Sequence, residues 1–209
     1  MKVAIFANGE MCSESFARTV LSNCDYVVAC DGGLKYCHRL YVKPNCIVGD
    51  IDSADKSLLN KYQDVPVSRF PSEKDQTDLE LAIAYACDIG ATSIIVLGGL
   101  GKRFDHQLAN AHVLAQALKR GVIAQLRDQF TCVQLINSHC QLHKSDGSLV
   151  SLLPLTTTVD GIVTEGLQYP LRDESLSVGF ARGVSNLITK ELARVSLKNG
   201  MLLVVQTKE

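Results

Sequence analysis

Cys46-Ile47-Val48-Gly49-Asp50-Ile51-Asp52 is a short apolar run that breaks at a glycine and ends in two carboxylates. A run of this length, closed by turn residues, reads as a buried strand. The same pattern recurs at Lys2 to Ala7, Tyr26 to Cys30, Val67 to Phe70, Ser93 to Leu97 and Ile123 to Arg127. Between these strands, helical periodicity runs through Ser13 to Leu21, Leu34 to Tyr41, Lys56 to Tyr62, Leu79 to Ile89 and Phe104 to Arg120. Alternating strands and helices imply a mostly parallel sheet with helices on its faces. In such a sheet the strands hand over to helices along one edge, at their carboxyl ends, where ligands bind. Asp50 and Asp52 belong to that edge.

The first part of the chain is therefore expected to be a Rossmann-like α/β/α domain. After about Phe130 the pattern changes. Cys140 to Leu142, Leu149 to Leu153, Thr158 to Val163, Ser175 to Val178, Arg194 to Leu197 and Met201 to Gln206 are short β-rich runs. Asp146-Gly147, Asp160-Gly161, Gly166, Gly183 and Asn199-Gly200 punctuate them. These turns are typical of an antiparallel β-sandwich. The expected division is residues 1–137 for an α/β domain and 138–209 for a β-sandwich domain.

Composition narrows the function. The 209 residues are 46% hydrophobic, enough for a full core, and the net charge is −1 from 21 basic and 22 acidic side chains. With no basic stripe, nucleic acid is not an expected partner. The apolar runs are strand-sized, and the N-terminus turns polar at Asn8-Gly9-Glu10, too early for a signal peptide. No membrane role and a cytoplasmic location are expected. The cysteines (Cys12, Cys24, Cys30, Cys37, Cys46, Cys87, Cys132 and Cys140) contain no C-x-x-C pair, and they read as reduced core thiols. His139, Cys140 and His143 fall on a strand with Cys140 opposing the two histidines, which argues against a metal site there.

Four motifs carry the chemistry. Cys30-Asp31-Gly32-Gly33 joins a strand to a helix, either as an Asp-capped tight turn or as a backbone cradle for phosphate or ribose. Asp50 and Asp52 precede Ser53, which can cap the next helix. Thr77-Asp78-Leu79-Glu80 matches a capping box, which accounts for Thr77 and Glu80 but not for Asp75 and Asp78 at the same helix entrance. Carboxylates gathered at successive strand ends repel unless a cation separates them, and hard oxygen ligands suit Mg²⁺ carrying a phosphate chain. Gly98-Gly99-Leu100-Gly101-Lys102-Arg103 fails as a P-loop, because Val96 and Arg103 stand where Gly and Ser or Thr are needed. It also fails as a dinucleotide fingerprint, because of Phe104. What remains is a glycine-rich turn carrying two cations, followed by Asp105 and His106. Lys102 and Arg103 can neutralise phosphate, Arg with bidentate geometry, while Asp105 also reads as an ordinary first-turn helix acid.

Taken in order, Asp31-Gly32-Gly33, Gly49-Asp50-Ile51-Asp52-Ser53, Lys74-Asp75-Gln76-Thr77-Asp78-Leu79-Glu80 and Arg103-Phe104-Asp105-His106 with Leu108-Ala109-Asn110 resemble thiamine pyrophosphokinases. The resemblance continues through Thr164-Glu165-Gly166-Leu167-Gln168-Tyr169-Pro170-Leu171 and Gly183-Val184-Ser185-Asn186. It implies Mg²⁺, ATP as co-substrate, and transfer of a pyrophosphoryl group to the hydroxyl of thiamine. It also implies a homodimer with sites between subunits and a thiamine-binding second domain. Carried over, Asp50, Asp52, Asp75 and Asp78 organise the metal and the triphosphate. Asp31, Gly32, Gly33, Ser53, Thr77, Lys102, Arg103 and His106 hold the nucleotide, Asp105 borders the reacting groups, and Ser185 and Asn186 face thiamine. Alternatives are a pyrophosphokinase for another heterocyclic alcohol, such as a hydroxymethylpterin, and a non-catalytic nucleotide or thiamine sensor. The chain departs from the pattern with Lys102 after Gly101, where many members have a second glycine, with Ile51 and Gln168, and in having no Trp to stack on thiamine.

Overall fold

The computed structural model describes residues 1–50, 56–69, 75–101 and 103–208. They form two compact units, Met1–Gln129 and Phe130–Glu209. In the first unit the strands are β1 (Lys2–Phe6), β2 (Tyr26–Cys30), β3 (Cys46–Gly49), β4 (Val67–Arg69), β5 (Ser93–Leu97) and β6 (Ile123–Arg127). The helices are α1 (Glu14–Leu21), α2 (Leu34–Arg39), α3 (Lys56–Lys61), α4 (Asp78–Asp88) and α5 (Phe104–Lys119).

The strands run parallel in the order β6-β5-β1-β2-β3-β4. β1, β2 and β3 are apolar on both faces because helices cover both, so their sequences show no polar alternation. On one face Phe6, Ala29, Ile47 and Leu97 pack with Ala17 and Val20 of α1 and with Leu34 and Cys37 of α2. α4 buries Leu79, Leu81, Ala82, Ile83 and Ala86, and packs on β1, β2, β3 and α5. Removing each large side chain of this kind from water stabilises the fold by about 1.5–3 kcal/mol. The chain runs outward from β1 to β4 and then returns to β5 on the other side of β1, which puts the topological switch point between β1 and β5.

The second unit contains β7 (Thr131–Ile136), β8 (His139–His143), β9 (Leu149–Pro154), β10 (Thr158–Glu165), β11 (Arg172–Ser177), β12 (Asn186–Leu187), β13 (Leu192–Ser196) and β14 (Leu202–Thr207). Its strands are antiparallel, in the orders β12-β9-β14-β7 and β11-β10-β13-β8. Val150, Leu152, Val159, Ile162, Val195, Leu202 and Val204 fill the space between them. Three features differ from the sequence expectation. β7 and β12 were not expected as strands, and Asp160-Gly161 is no turn. Gly161, at φ +68, sits inside β10, where partners step from Val159↔Leu176 to Ile162↔Glu174. One extra residue on β10 makes this a bulge, and a glycine in the left-handed region accommodates it.

The cysteines are free thiols, and Cys12, Cys30, Cys37, Cys46 and Cys132 are buried. Burial pushes the Cys12 thiol up to about 11 and those of Cys37 and Cys140 up to about 12, so all three are protonated at neutral pH. Among the described residues no helix is long and apolar enough to cross a membrane.

Candidate active site

A cavity of about 900 Å³ opens at the carboxyl ends of the parallel strands, bordered by the loops that follow β1 and β5 and by the first turns of α4 and α5. The two loops are fastened back to back: Ala7 N donates to Leu97 O at 2.8 Å, and Gly9 N to Gly98 O at 3.1 Å. This approach requires glycine. Gly98 has φ +73 and a Cβ there would lie 2.7 Å from Ala7 O, while a Cβ on Gly9 would lie 2.3 Å from Gly98 O. From α5, Asn110 Nδ2 donates to Gly99 O at 2.8 Å, and Gln107 Nε2 to Gly101 O. Residues 107 and 110 share a helix face, so the floor of the cavity is held from one side. No role was read for either residue in the sequence, although their i, i+3 spacing beside a glycine-rich turn was the available signal.

Asp31, Asp50 and Asp78 converge at this edge, with one carboxylate oxygen of each within 4.8 Å of the others. Each is brought there by a different element. β2 and β3 pair in parallel with Cys30 opposite Val48, so the residues following them, Asp31 and Asp50, emerge side by side. Gly49, at φ +146, makes this possible, since a Cβ there would lie 3.0 Å from the Asp31 Cβ. Asp78 opens α4, which Thr77 caps by accepting from Glu80 N at 3.3 Å. The Glu80 carboxylate accepts from Gln116 Nε2 and so ties α4 to α5. Asp31 is buried, whereas Asp50 and Asp78 are half-buried.

The paired glycines after Asp31 serve packing. The positive φ falls on Asp31, at +44, and Gly33 is helical with φ −63. A Cβ on Gly33 would lie 1.9 Å from Phe6 O, and one on Gly32 would lie 2.5 Å from the Asn8 side chain, so both glycines let the turn close on the end of β1. Holding a non-glycine residue in the left-handed region costs on the order of 1 kcal/mol, least for Asn and Asp.

The other residues singled out in the sequence separate into four groups. Thr77, Arg103, Asp105 and His106 border the cavity. Arg103 Nη2 donates to Asp105 Oδ2 at 2.5 Å and its Nε to Oδ1 at 3.2 Å, and both side chains are exposed. This hydrogen bonding holds the Asp105 carboxyl below the usual carboxylate range and raises the Arg103 guanidinium. Asp75 is exposed and lies outside the three-carboxylate group, while Asp52, Ser53 and Lys102 lie outside the described residues.

Ser185 and Asn186 belong to the second unit. Ser185 has φ +60, and its N–H donates to Ser151 Oγ at 3.1 Å. Asn186 is 9% exposed and its amide is engaged. Oδ1 accepts from Tyr169 N at 3.0 Å and Leu187 N at 2.9 Å, and Nδ2 donates to Tyr169 O at 2.7 Å. The Tyr169 backbone is thus gripped on both sides while the residue stays 64% exposed.

Residues 17–126 match the family model described as thiamin pyrophosphokinase, catalytic domain, and residues 138–202 match thiamin pyrophosphokinase, vitamin B1 binding domain. The chain belongs to the thiamin pyrophosphokinase family. ATP-dependent formation of thiamine diphosphate is the function of that family, and the chain is an enzyme of this class. Among its relatives, the thiamine pyrophosphokinase of Bacillus subtilis is 24% identical over 165 residues, covering 77% of each chain. Thiamine pyrophosphokinase 2 of Arabidopsis thaliana is 27% identical over 179 residues, 80% of this chain and 67% of the relative. The fold agrees with the solved B. subtilis enzyme at a TM-score of 0.87 and 22% identity over the full length of both chains. It agrees with the Candida albicans enzyme at 0.84 and 16% identity over 99% and 89% of the two chains. Of the acceptors considered from the sequence, the match of residues 138–202 selects thiamine over a hydroxymethylpterin.

Proposed function

We propose that ATP and thiamine react at the carboxylate edge of the parallel sheet, with Asp31, Asp50 and Asp78 at its centre. The observation that carries this reading is the convergence of those three carboxylates beside a glycine-lined cavity. The donor set fits Mg²⁺. At Mg–O distances of 2.0–2.1 Å, neighbouring ligands in an octahedron stand about 2.9 Å apart and opposite ones about 4.1 Å apart. One oxygen from each of the three carboxylates lies within 4.8 Å of the others, the same scale as those spacings. Asp31, Asp50 and Asp78 would hold the ion, joined by Asp52 and Asp75 as the family resemblance implies. When bound, Mg²⁺ supplies charge neutralisation at the phosphate oxygens.

The protein's own contribution is positioning and charge. Thiamine's hydroxyl oxygen loses its proton to solvent as it forms a bond to the β-phosphorus of ATP, the bond from that phosphorus to the α–β bridging oxygen breaks, and AMP leaves with that oxygen. Such a transfer depends more on alignment and charge neutralisation than on a strong base. The first turns of α4 and α5 border the cavity, and helix N-termini are a favourable setting for phosphate. Thr77, His106, Gly32 and Gly33, with Ser53 and Lys102, are assigned to the nucleotide, and Arg103 to the charge that develops on the transferred group.

Asp31 provides the first test. Sequence reasoning assigns Asp31 to the nucleotide, whereas its proximity to Asp50 and Asp78 favours a share in the metal. Asp31→Asn is expected to weaken binding of Mn²⁺, titrated by electron paramagnetic resonance as a surrogate for Mg²⁺, roughly tenfold or more. Unchanged Mn²⁺ affinity would return Asp31 to the nucleotide alone.

Residues 138–209 are assigned to thiamine. Tyr169, with its backbone gripped by Asn186, is the aromatic residue best suited to face the cationic thiazolium ring. Asn186 would then act by fixing Tyr169. Losing its buried hydrogen bonds costs about 1–3 kcal/mol locally. Asn186→Ala is therefore expected to raise KM for thiamine about tenfold while leaving KM for ATP nearly unchanged; equal rises in both would contradict this role. The active species is proposed as a homodimer with sites shared between subunits. At thiamine concentrations well below the raised KM, mixing Asn186→Ala chains with Asp78→Asn chains should then give more activity than the two variants measured apart, and confirmed subunit exchange without that gain would favour sites completed within one chain.

A further inference from the structure

Arg103 and Asp105 both border the cavity, yet in this structure each engages the other. The guanidinium gives its Nε and Nη2 edge to the two carboxylate oxygens of Asp105, at 3.2 Å and 2.5 Å. Arg103 immediately precedes α5 in an extended conformation (φ −84, ψ 108), and Asp105 sits in the first helical turn, so the contact spans only two residues. That edge of the guanidinium has the two parallel N–H groups suited to a phosphate. If Arg103 serves the nucleotide, phosphate and the Asp105 carboxylate therefore compete for one edge of the guanidinium.

We propose that this pair is a latch. An incoming nucleoside triphosphate takes the Nε and Nη2 edge of Arg103 and displaces Asp105, whose carboxylate becomes free to accept a hydrogen bond from the alcohol substrate. The inference rests on the assignment of Arg103 to phosphate. Three observations favour displacement over simultaneous binding. Both side chains are largely exposed, at 69% and 64%, so water screens the pair and rehydrates whichever group is released. A triphosphate brings more negative charge to the guanidinium than one carboxylate does, and the two anions repel if both stay. The released Asp105 remains in the first turn of α5, where the helix dipole still favours a negative charge. The consequence is an order: the carboxylate reaches the alcohol only after nucleotide has entered, and by linkage each substrate tightens the other.

The test is calorimetric titration of α,β-methylene ATP with Mg²⁺, whose α–β bridge cannot be cleaved by the transfer. It is carried out on the full-length chain and on Asp105→Asn, Arg103→Gln and the double variant, with folding of each checked by circular dichroism. Arg103→Gln is expected to weaken binding about tenfold. Asp105→Asn is expected to tighten it about two- to fivefold, the range set by an exposed ion pair. In the Arg103→Gln background the Asp105→Asn gain should vanish. If Arg103→Gln binds as the parent does, the assignment of Arg103 to phosphate is itself wrong. If Arg103→Gln weakens binding but Asp105→Asn leaves the parent unchanged or weaker, phosphate uses the other edge of the guanidinium and there is no latch. An equal gain from Asp105→Asn in both backgrounds would reduce the effect to charge repulsion and also overturn the proposal.

Discussion

Asp78→Asn is expected to lower kcat by about a thousandfold or more, with Asp50→Asn comparable, while leaving the fold intact. The amide occupies the same volume as the carboxylate but removes one negative charge from the three that meet within 4.8 Å. A divalent ion would then be held less tightly and would be less well placed to neutralise the transferred phosphates. Stability should change little. Asp78 is half-buried at the start of α4, and the helix is capped by Thr77, which the substitution does not touch. Losing a first-turn carboxylate costs only about 0.3–1 kcal/mol through the helix dipole. The check is kcat at saturating Mg²⁺ alongside a thermal melt. Near-parental turnover in both variants would remove the carboxylate group from the chemistry.

Arg103→Lys is the second large effect. The substitution keeps the positive charge and loses the planar fork, so it separates charge from geometry. If Arg103 stabilises charge developing on the transferred group, kcat should fall about a hundredfold, the scale seen when one preorganised donor is removed from a transition state. Arg103 is largely exposed, so folding should be unaffected. A variant matching the parent in both kcat and KM for ATP would mean that only the charge matters, or that the guanidinium is uninvolved.

Most of the first unit was legible because its strands are closed by strong local signals. Tyr26–Cys30, Ser93–Leu97 and Ile123–Arg127 have the boundaries that their apolar runs imply, and Thr77 caps α4 as its capping-box position requires. β7 was missed for a local reason. Thr131–Ile136 follows Asp128-Gln129-Phe130 with no glycine or proline, and its residues after Thr131 are buried on both faces, so neither a turn signal nor alternation marks it. Asp160-Gly161 misled because a glycine in the left-handed region looks the same in sequence whether it closes a turn or forms a bulge.

The site was legible in its residue types and less so in its grouping. Asp50 and Asp78 were read together, but the approach of Asp31 to them depends on the parallel register that sets Cys30 opposite Val48, a pairing no local pattern encodes. The glycines at 32 and 33 were read either as a cradle for phosphate or ribose or as part of an Asp-capped tight turn, and neither reading held the further constraint on them, the closeness of Phe6 and Asn8, residues more than 20 positions away in the chain. Asn186 shows the same limit. Its motif pointed to thiamine, while the grip of its amide on Tyr169 emerges only from the fold.

The central claim is that this edge moves a pyrophosphoryl group from ATP to thiamine. Its most direct test incubates the protein with ATP, Mg²⁺ and thiamine, quantifies AMP, and identifies the thiamine product by mass, with Asp78→Asn run in parallel. The account predicts AMP and thiamine diphosphate in equal amounts, dependent on thiamine and abolished in the variant. Release of ADP with thiamine monophosphate, or AMP formation that does not depend on thiamine, would contradict it.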